Sequence, residues 1–291
     1  MKTKRLRNRQ LVLLGLMTAL VLIFSLTPIG SIPIGPLSIT LNVIPVAIAA
    51  ISLGPVGGLI MGSVFGLFSF LQCFGIGVPS GMGAILADIN PFLAFVQRFV
   101  PRALDGLLVG FIFKGMSSLK NIRSYYIITG AVSALFGFAL YLSGMMLINS
   151  ETVDGKYKMS EAMSDFIGTP RLFAYTCIFV SLVSFAVGYL TVRSKKLSQT
   201  QVACAVTGFC TALLNTVFFM SALIILFGST DYVKELMAGR NVIMFIIAFV
   251  GINALFEMIT TTVITTAVGT ALFKAKLISE NNTEDAKTEK E

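Results

Sequence analysis

The sequence contains no histidine, and only 12% of its 291 residues are charged. Without histidine, the chain lacks the usual zinc ligand and the commonest general base. The H-E-x-x-H motif of intramembrane metalloproteases therefore cannot occur, and the G-x-x-x-x-G-K-[ST] loop of P-loop ATPases is also missing. These absences exclude a zinc peptidase of that kind and a chain that hydrolyses ATP through a P-loop of its own.

Acidic residues and cysteines are too scattered for other familiar chemistry. No two acidic residues lie close together within an apolar stretch, so the paired clusters that hold magnesium in prenyl-diphosphate chemistry are missing. We therefore expect no enzymatic activity, no metal, no cofactor and no nucleic-acid partner. The cysteines have no C-x-x-C spacing and are expected to be small hydrophobic residues within helices: Cys73, Cys177, Cys204 and Cys210.

Apolar residues dominate the chain. Hydrophobic residues make up 55% of the sequence, and the charged fraction is about half of the quarter that is usual in soluble domains. We expect an integral, multi-pass protein of the cell membrane. The basic N-terminal stretch 1–10 precedes an apolar run without an A-x-A-like cleavage site, and more apolar runs follow. This pattern predicts an uncleaved first helix rather than a secretory signal.

About eight apolar stretches approach the ~20 residues that cross a bilayer. They cover 11–29, 39–53, 56–76, 92–113, 125–148, 172–192, 201–227 and 241–273. Alternate connections are basic, which predicts that they and both termini are cytoplasmic. The predicted fold is an all-α bundle in a single transmembrane domain over 1–278, followed by a disordered cytoplasmic tail over 279–291.

The stretch from 32 to 71 contains the strongest backbone signals. The loop Pro33–Pro36 cannot be helical, because proline fixes φ and removes hydrogen-bond donors. The pair Gly54-Pro55 is a predicted breaker before a helix with glycine at positions 58, 62 and 66. This spacing places the glycines on one face, where a neighbouring backbone can approach closely. Asn42 is polar within an apolar stretch and needs a partner.

The fourth stretch carries most of the charge at membrane depth. Arg98, Arg102 and Asp105 follow the i, i+4, i+7 spacing of a single helix face. A charge at this depth costs on the order of 3 kcal/mol, so such residues pair or line a cavity. The simplest assignment pairs Arg102 with Asp105. Arg98 has no opposite charge in its own helix, and it meets either a substrate carboxylate or a distant partner such as Glu257.

The last two stretches carry further polar side chains. Asn215 precedes Thr216 at mid-depth, and Asn253 and Glu257 form an i, i+4 pair on one face. Asn215 is either a ligand contact or an interhelical hydrogen-bonding residue. Glu257 is either part of the site or a buried ion pair or protonated carboxyl group.

Several segments, taken in order, resemble the S components of energy-coupling factor (ECF) transporters, which are small membrane proteins that capture vitamins. The segments that carry the resemblance are LSITLNVIPV at 37–46, LGPVGG at 53–58, GSVFGLF at 62–68, PRALDGLLVG at 101–110 and ALLNT at 212–216. The resemblance implies a six-helix core, and 125–193 is then an extra transmembrane hairpin. It also implies partnership with a transmembrane coupling subunit and two ATPase subunits.

The resemblance further implies that the first loop and the outer halves of the late helices enclose a vitamin. The expected substrate-binding residues are Asn42, Arg98, Asn215, Asn253 and Glu257. Pantothenate, riboflavin, folate and cobalamin are candidates, and Arg98 with the Asn-Thr pair at 215–216 favours pantothenate, an anion.

The resemblance also implies that a small-residue face in the first helix contacts the coupling subunit. It consists of Gly15 and Ala19, and the alternative is packing within the bundle. A stand-alone secondary transporter or channel is the rival function, because mid-membrane charge can couple to ions. The inverted repeat that is typical of many such transporters is missing.

Overall fold

The computed structural model describes residues 2–34, 37–119, 121–149, 170–193, 199–237, 239, 242–275 and 277–278. The longer helices are α1 (Lys2–Leu26), α2 (Val43–Leu71), α4 (Pro91–Ser117), α5 (Ile122–Asn149), α6 (Pro170–Arg193), α7 (Gln199–Phe227) and α9 (Val242–Lys274). The described part also contains two short α-helices, α3 (Gly81–Ile89) and α8 (Asp231–Met237), two 3₁₀ turns (Pro28–Gly30 and Gln72–Phe74) and two strands, β1 (Ser31–Ile34) and β2 (Leu37–Thr40). The predicted tail 279–291 and the polar connection 150–169 lie outside the described residues.

All eight apolar stretches are helical over most of their length. By length and composition, four helical segments of the described chain can cross a membrane, and they are Val43–Phe74, Arg123–Tyr141, Gln199–Phe227 and Asn253–Lys274. Gln10–Leu26 and Cys177–Ala186 are shorter apolar helices. Helix α4 is about 40 Å long, but it carries three charged residues in its middle. The predicted number of crossings and the cytoplasmic termini stay predictions.

Helix α2 reverses direction at the predicted breaker. Gly54 has φ +71° and ψ −164°, which is outside the helical region, and Pro55 follows it. A Cβ atom built on Gly58 would lie 3.1 Å from the Cβ atom of Ala50. Residues eight apart in a straight helix are about 12 Å apart along the axis. The chain therefore doubles back, and α2 consists of two limbs, 43–53 and 55–71.

The second limb of α2 packs against α4 through the predicted glycine face. A Cβ on Gly58 would meet the carbonyl oxygen of Gly106, and one on Gly62 would meet the carbonyl of Arg102. At Gly66 a Cβ would lie 2.9 Å from the Cα atom of Phe99. The two backbones are therefore in direct contact, and the prediction of a close-packed glycine face is confirmed.

The predicted first loop is an antiparallel β-hairpin. Its register pairs Ser31 with Thr40 and Ile34 with Leu37, and residues 35–36 lie outside the described part. Within the described ranges, this hairpin contains the only β-strands, and the longer elements are all helices. Pro33 excludes helix, as expected, but it is compatible with a strand here because both strands of a two-stranded hairpin are edges.

Helices α5 and α6 pack against each other at the side of the bundle. The hydroxyl group of Ser181 donates to the carbonyl oxygen of Ser133 at 2.9 Å, and the rings of Tyr126 and Tyr189 lie 4.9 Å apart. Helix α5 also contacts α9, whereas α4 and α7 pack directly against each other. Helices α2, α4, α7 and α9 therefore form the centre of the bundle, and α1 packs on α2.

The short helix α8 closes one end of this centre. Thr230 caps it by accepting a hydrogen bond from the backbone N–H of Val233 at 3.4 Å. Val233 is fully buried and packs in a cluster with Phe227 and Phe245. This cluster covers the end of the bundle that is nearest to Arg98.

Candidate functional site

The charged face of α4 lies inside the bundle. The exposed fractions are 5% for Arg98, 6% for Arg102 and 1% for Asp105. An ionised side chain that is removed from water must be compensated by hydrogen bonds, opposite charge or a polar ligand. The surroundings of each charged group therefore decide what this region can bind.

Arg102 is held by its own helix and by two aromatic rings. Its Nη1 donates to the carbonyl oxygen of Arg98 at 2.9 Å. Its Cζ atom lies 4.7 Å from the ring centroid of Phe65 and 4.9 Å from that of Phe219. Each such cation–π contact is worth about 2 kcal/mol when it is desolvated.

The predicted pair of Arg102 with Asp105 is wrong. Within the described residues, the only ion pair joins Lys234 to Asp231 at 3.9 Å, on the exposed side of α8. Side chains on a helix point towards its N-terminus. Arg102 accordingly reaches back to the turn of Arg98, and Asp105 lies one turn in the other direction.

Arg98 is held by the start of α3. Its Nη2 donates to the hydroxyl oxygen of Ser80 at 3.0 Å, and its Cζ atom lies 5.1 Å from the ring centroid of Phe219. Ser80 is the N-cap of α3 and also accepts from the backbone N–H of Gly83. The alternative partner Glu257 makes no ion pair with Arg98. The Nε atom of Arg98 is buried and has no hydrogen-bond partner among the described residues.

Glu257 contacts the β-hairpin rather than Arg98. Its Oε1 accepts a hydrogen bond from the backbone N–H of Thr40 at 2.7 Å, and the side chain is 5% exposed. Glu257 forms no ion pair with any described residue, so the ion-pair alternative for Glu257 is not seen. The hydrogen bond ties the end of the β-hairpin to the middle of α9.

The three asparagines of the predicted site are all buried. The Oδ1 atoms of Asn42 and Asn215 have no hydrogen-bond partner among the described residues. The interhelical alternative for Asn215 is therefore not seen at this oxygen. Asn42 immediately precedes α2 and does not cap it through its side chain. Asn253 lies one turn before Glu257 on α9.

In and around the charged face of α4, several buried polar atoms have no hydrogen-bond partner among the described residues. Besides those of Arg98 and Asn215, they are Nε of Arg102, Oδ1 of Asp105 and both amide atoms of Gln97. Leaving such a group unsatisfied costs about 1–3 kcal/mol. A polar ligand between α4 and α7 would recover part of this cost. No group of three or more metal-ligating side chains occurs in the described chain.

The sequence interpretation missed several residues of this region, among them Ser80, Gly83, Phe219 and Gln97. Ser80 had a signal, because a serine directly before an apolar run is typical of a helix N-cap. Phe219 lies one turn from Asn215 and therefore shares its face.

Tyr232 of α8 also lies near Arg98. Burial raises the pKa of the Tyr232 phenol, and the charge of Arg98 opposes this shift.

Two other regions are separate from this cluster. Gly15 and Ala19 of α1 are exposed, and a Cβ on Gly15 would meet nothing within 4 Å, so they do not pack within the described bundle. A cavity of about 390 Å³ lies between the α5–α6 pair and helices α7 and α9. None of the predicted site residues lines it.

The sequence matches the family described as "ECF transporter, substrate-specific component" over residues 9–160. One curated relative is the pantothenate transporter PanT of Leuconostoc mesenteroides subsp. mesenteroides, which is 33% identical over 120 residues. This alignment covers 40% of the chain and 55% of PanT, so the chain matches about half the length of this relative. The family match covers more than half of the chain and includes the charged face of α4. The chain therefore belongs to the family of substrate-specific components of ECF transporters, which are integral membrane proteins and not enzymes.

Proposed function

We propose that this protein is the substrate-capture subunit of an ECF-type importer and that it binds pantothenate at the outer face of the membrane. The observation that carries the proposal is the buried guanidinium of Arg98, whose Nε lacks a partner and which contacts no carboxylate among the residues that the structure describes. The name of the PanT relative supports the same substrate.

The charge of Arg98 favours an anionic ligand. Its hydrogen bond to Ser80 is to a neutral hydroxyl group, and its ring contact with Phe219 is also to a neutral partner. A ligand carboxylate would supply the missing opposite charge through strong, charge-assisted hydrogen bonds. Pantothenate and folate carry carboxylates, whereas riboflavin and cobalamin offer none to such a site. The charge of Arg98 therefore favours pantothenate and folate, and we put pantothenate first because the PanT relative is named for it.

The remaining polar residues suit the uncharged part of the ligand. Pantothenate also has an amide group and two hydroxyl groups, which need both donors and acceptors. The free Oδ1 of Asn215 is an acceptor on the helix that carries Phe219. We assign Asn42, Asn253 and Glu257 to the other side of the pocket, below the β-hairpin and along α9.

The β-hairpin is the proposed gate. The first limb of α2 is only about 16 Å long, which is half of the ~30 Å hydrocarbon core. The hairpin precedes it and reaches the middle of α9 through the hydrogen bond between Thr40 and Glu257. Non-helical backbone at membrane depth occurs only where protein or a cavity surrounds it. Opening this hydrogen bond would expose the pocket to the outer side.

Energy and release would come from partners. The exposed small residues Gly15 and Ala19 are the proposed contact for the transmembrane coupling subunit, which would act with two ATPase subunits. In this proposal the chain binds the vitamin alone but imports it only with the partner module.

The test is binding by the purified protein. Pantothenate, riboflavin, folate and cobalamin are compared by radioligand binding and thermal shift on the native chain, Arg98→Ala and Asn215→Ala. Arg123→Ala is the matched control, because Arg123 is exposed on α5. Pantothenate at 100 times its Kd should stabilise the native chain by about 2.7 kcal/mol. We expect a loss of about 100-fold in affinity for Arg98→Ala, and the control should bind normally. Binding of no vitamin would contradict the proposal.

A second experiment distinguishes the proposed function from that of a stand-alone secondary transporter. The protein is reconstituted in liposomes with and without an ECF coupling subunit and its ATPases, and pantothenate uptake is measured. Uptake only with the partner module and ATP supports the proposal. Uptake by the chain alone, driven by an ion gradient, would instead identify a secondary transporter.

A further inference from the structure

We infer that the turn at the start of α3 is a positioning element that aims the Arg98 guanidinium at the carboxylate of the ligand. In this turn, Ser80 and Gly83 would set the preference for anionic over neutral ligands. The inference rests on the proposed function and adds residues that do not themselves have to touch the ligand.

Ser80 is a fixed acceptor. Its hydroxyl oxygen accepts from the backbone N–H of Gly83 at 3.2 Å and from Nη2 of Arg98 at 3.0 Å. A hydroxyl oxygen has two lone pairs, and both are used by these bonds. Because the first bond is the N-cap of α3, the backbone of that helix sets the position of the oxygen that holds Arg98.

Gly83 provides the space for the guanidinium. A Cβ atom at this position would lie 2.8 Å from Nη2 of Arg98 and 2.8 Å from Sγ of Cys73. Gly83 is inside α3, so its backbone conformation does not require glycine. The absence of a side chain is needed instead for the approach of Arg98.

The ring of Phe219 limits movement of the Arg98 guanidinium on another side. Its centroid lies 5.1 Å from Cζ of Arg98, so the guanidinium contacts both the turn and the ring. Among the described residues, Nε of Arg98 remains without a partner. A guanidinium N–H group of this kind binds a carboxylate through a charge-assisted hydrogen bond. The turn and the ring therefore hold the group while leaving Nε for the ligand.

The test compares pantothenate with pantothenol, in which an alcohol replaces the carboxylate. Dissociation constants are measured for the native chain, Ser80→Ala, Gly83→Ala, Arg98→Ala and Ser80→Ala in the Arg98→Ala background. We expect Ser80→Ala and Gly83→Ala to weaken pantothenate binding about tenfold and to leave pantothenol binding unchanged. In the Arg98→Ala background, Ser80→Ala should have no further effect.

Two additional variants keep the test decisive. Ser80→Thr retains the hydroxyl acceptor and should restore pantothenate binding, which separates positioning from a folding defect. Ser118→Ala is the matched serine control, because Ser118 is exposed and its hydroxyl bonds only the carbonyl of Lys114.

The outcomes distinguish this inference from the proposed function. Equal losses for both ligands, or a Ser80→Ala effect that persists without Arg98, would overturn the positioning role. Native affinity that depends on Arg98 but not on Ser80 or Gly83 would overturn it while leaving the proposed function intact. A native chain that binds no pantothenate would overturn both.

Discussion

Substituting Gly62 with alanine tests whether the contact between α2 and α4 determines both stability and binding. A Cβ atom at this position would lie 2.9 Å from the carbonyl carbon of Arg102 and 3.2 Å from the Cα atom of Ala103. Both neighbours are backbone atoms, so no side-chain rotation can relieve the overlap. The two helices must separate, and α4 carries Arg98 and Arg102 with it.

The expected loss of stability follows from these distances. At Gly66 the shortest approach would be 2.9 Å, whereas an ordinary contact begins near 3.4 Å, so a shift of about half an ångström is enough. Gly62→Ala requires a larger separation of the two helices, because the carbonyl oxygen of Arg102 would lie even closer to the added Cβ atom. Overpacking of this kind costs about 1–3 kcal/mol. We expect Gly62→Ala at the upper end of this range and Gly66→Ala at the lower end.

The assay is thermal unfolding of the detergent-solubilised protein, together with pantothenate affinity. Gly115→Ala is the matched control, because a Cβ at this position of α4 would meet nothing within 4 Å. It should be neutral or slightly stabilising, since alanine favours helix over glycine by about 1 kcal/mol. A Gly62→Ala variant that is as stable as Gly115→Ala and binds as tightly as the native chain would refute this reasoning.

Two further predictions concern the gate and a helix cap. Glu257→Gln keeps an acceptor for Thr40, so pantothenate should dissociate at close to the native rate, whereas Glu257→Ala should release it at least several-fold faster. The assay is radioligand dissociation, and Glu235→Ala, at an exposed position of α8, is the control. Equal dissociation rates for Glu257→Ala and Glu235→Ala would contradict the proposed gating role of the β-hairpin. Asn90→Ala removes the acceptor for the backbone N–H of Leu93 at the start of α4, and it should lower the stability of the protein by about 1 kcal/mol in thermal unfolding.

Much of the fold follows from local sequence signals. Apolar stretches, the Gly54-Pro55 breaker and the glycine face at 58–66 predict where helices lie, where one reverses and which face packs closely. Each of these signals depends on a few neighbouring residues. The β-hairpin was predicted only as a loop, because proline and glycine exclude helix there without specifying a pairing partner.

The site is less accessible to sequence reasoning because its contacts are distant in the chain. The spacing of Arg102 and Asp105 allows a pair, but the rings of Phe65 and Phe219 offer Arg102 a different environment. Spacing alone cannot rank these alternatives. The bond between Thr40 and Glu257 joins residues more than 200 positions apart, and no local pattern indicates it.

The direct packing of α4 on α7 has a consequence for how the bundle is made. Helix α4 ends at Ser117, and α7 begins at Gln199. At roughly 5–20 residues per second, the ribosome completes α7 several seconds after α4. During this interval Arg102 can already contact Phe65 of α2, but Phe219 has not been synthesised. We therefore expect α2 and α4 to assemble first and the ligand pocket to form last, after the α5–α6 pair has entered the membrane.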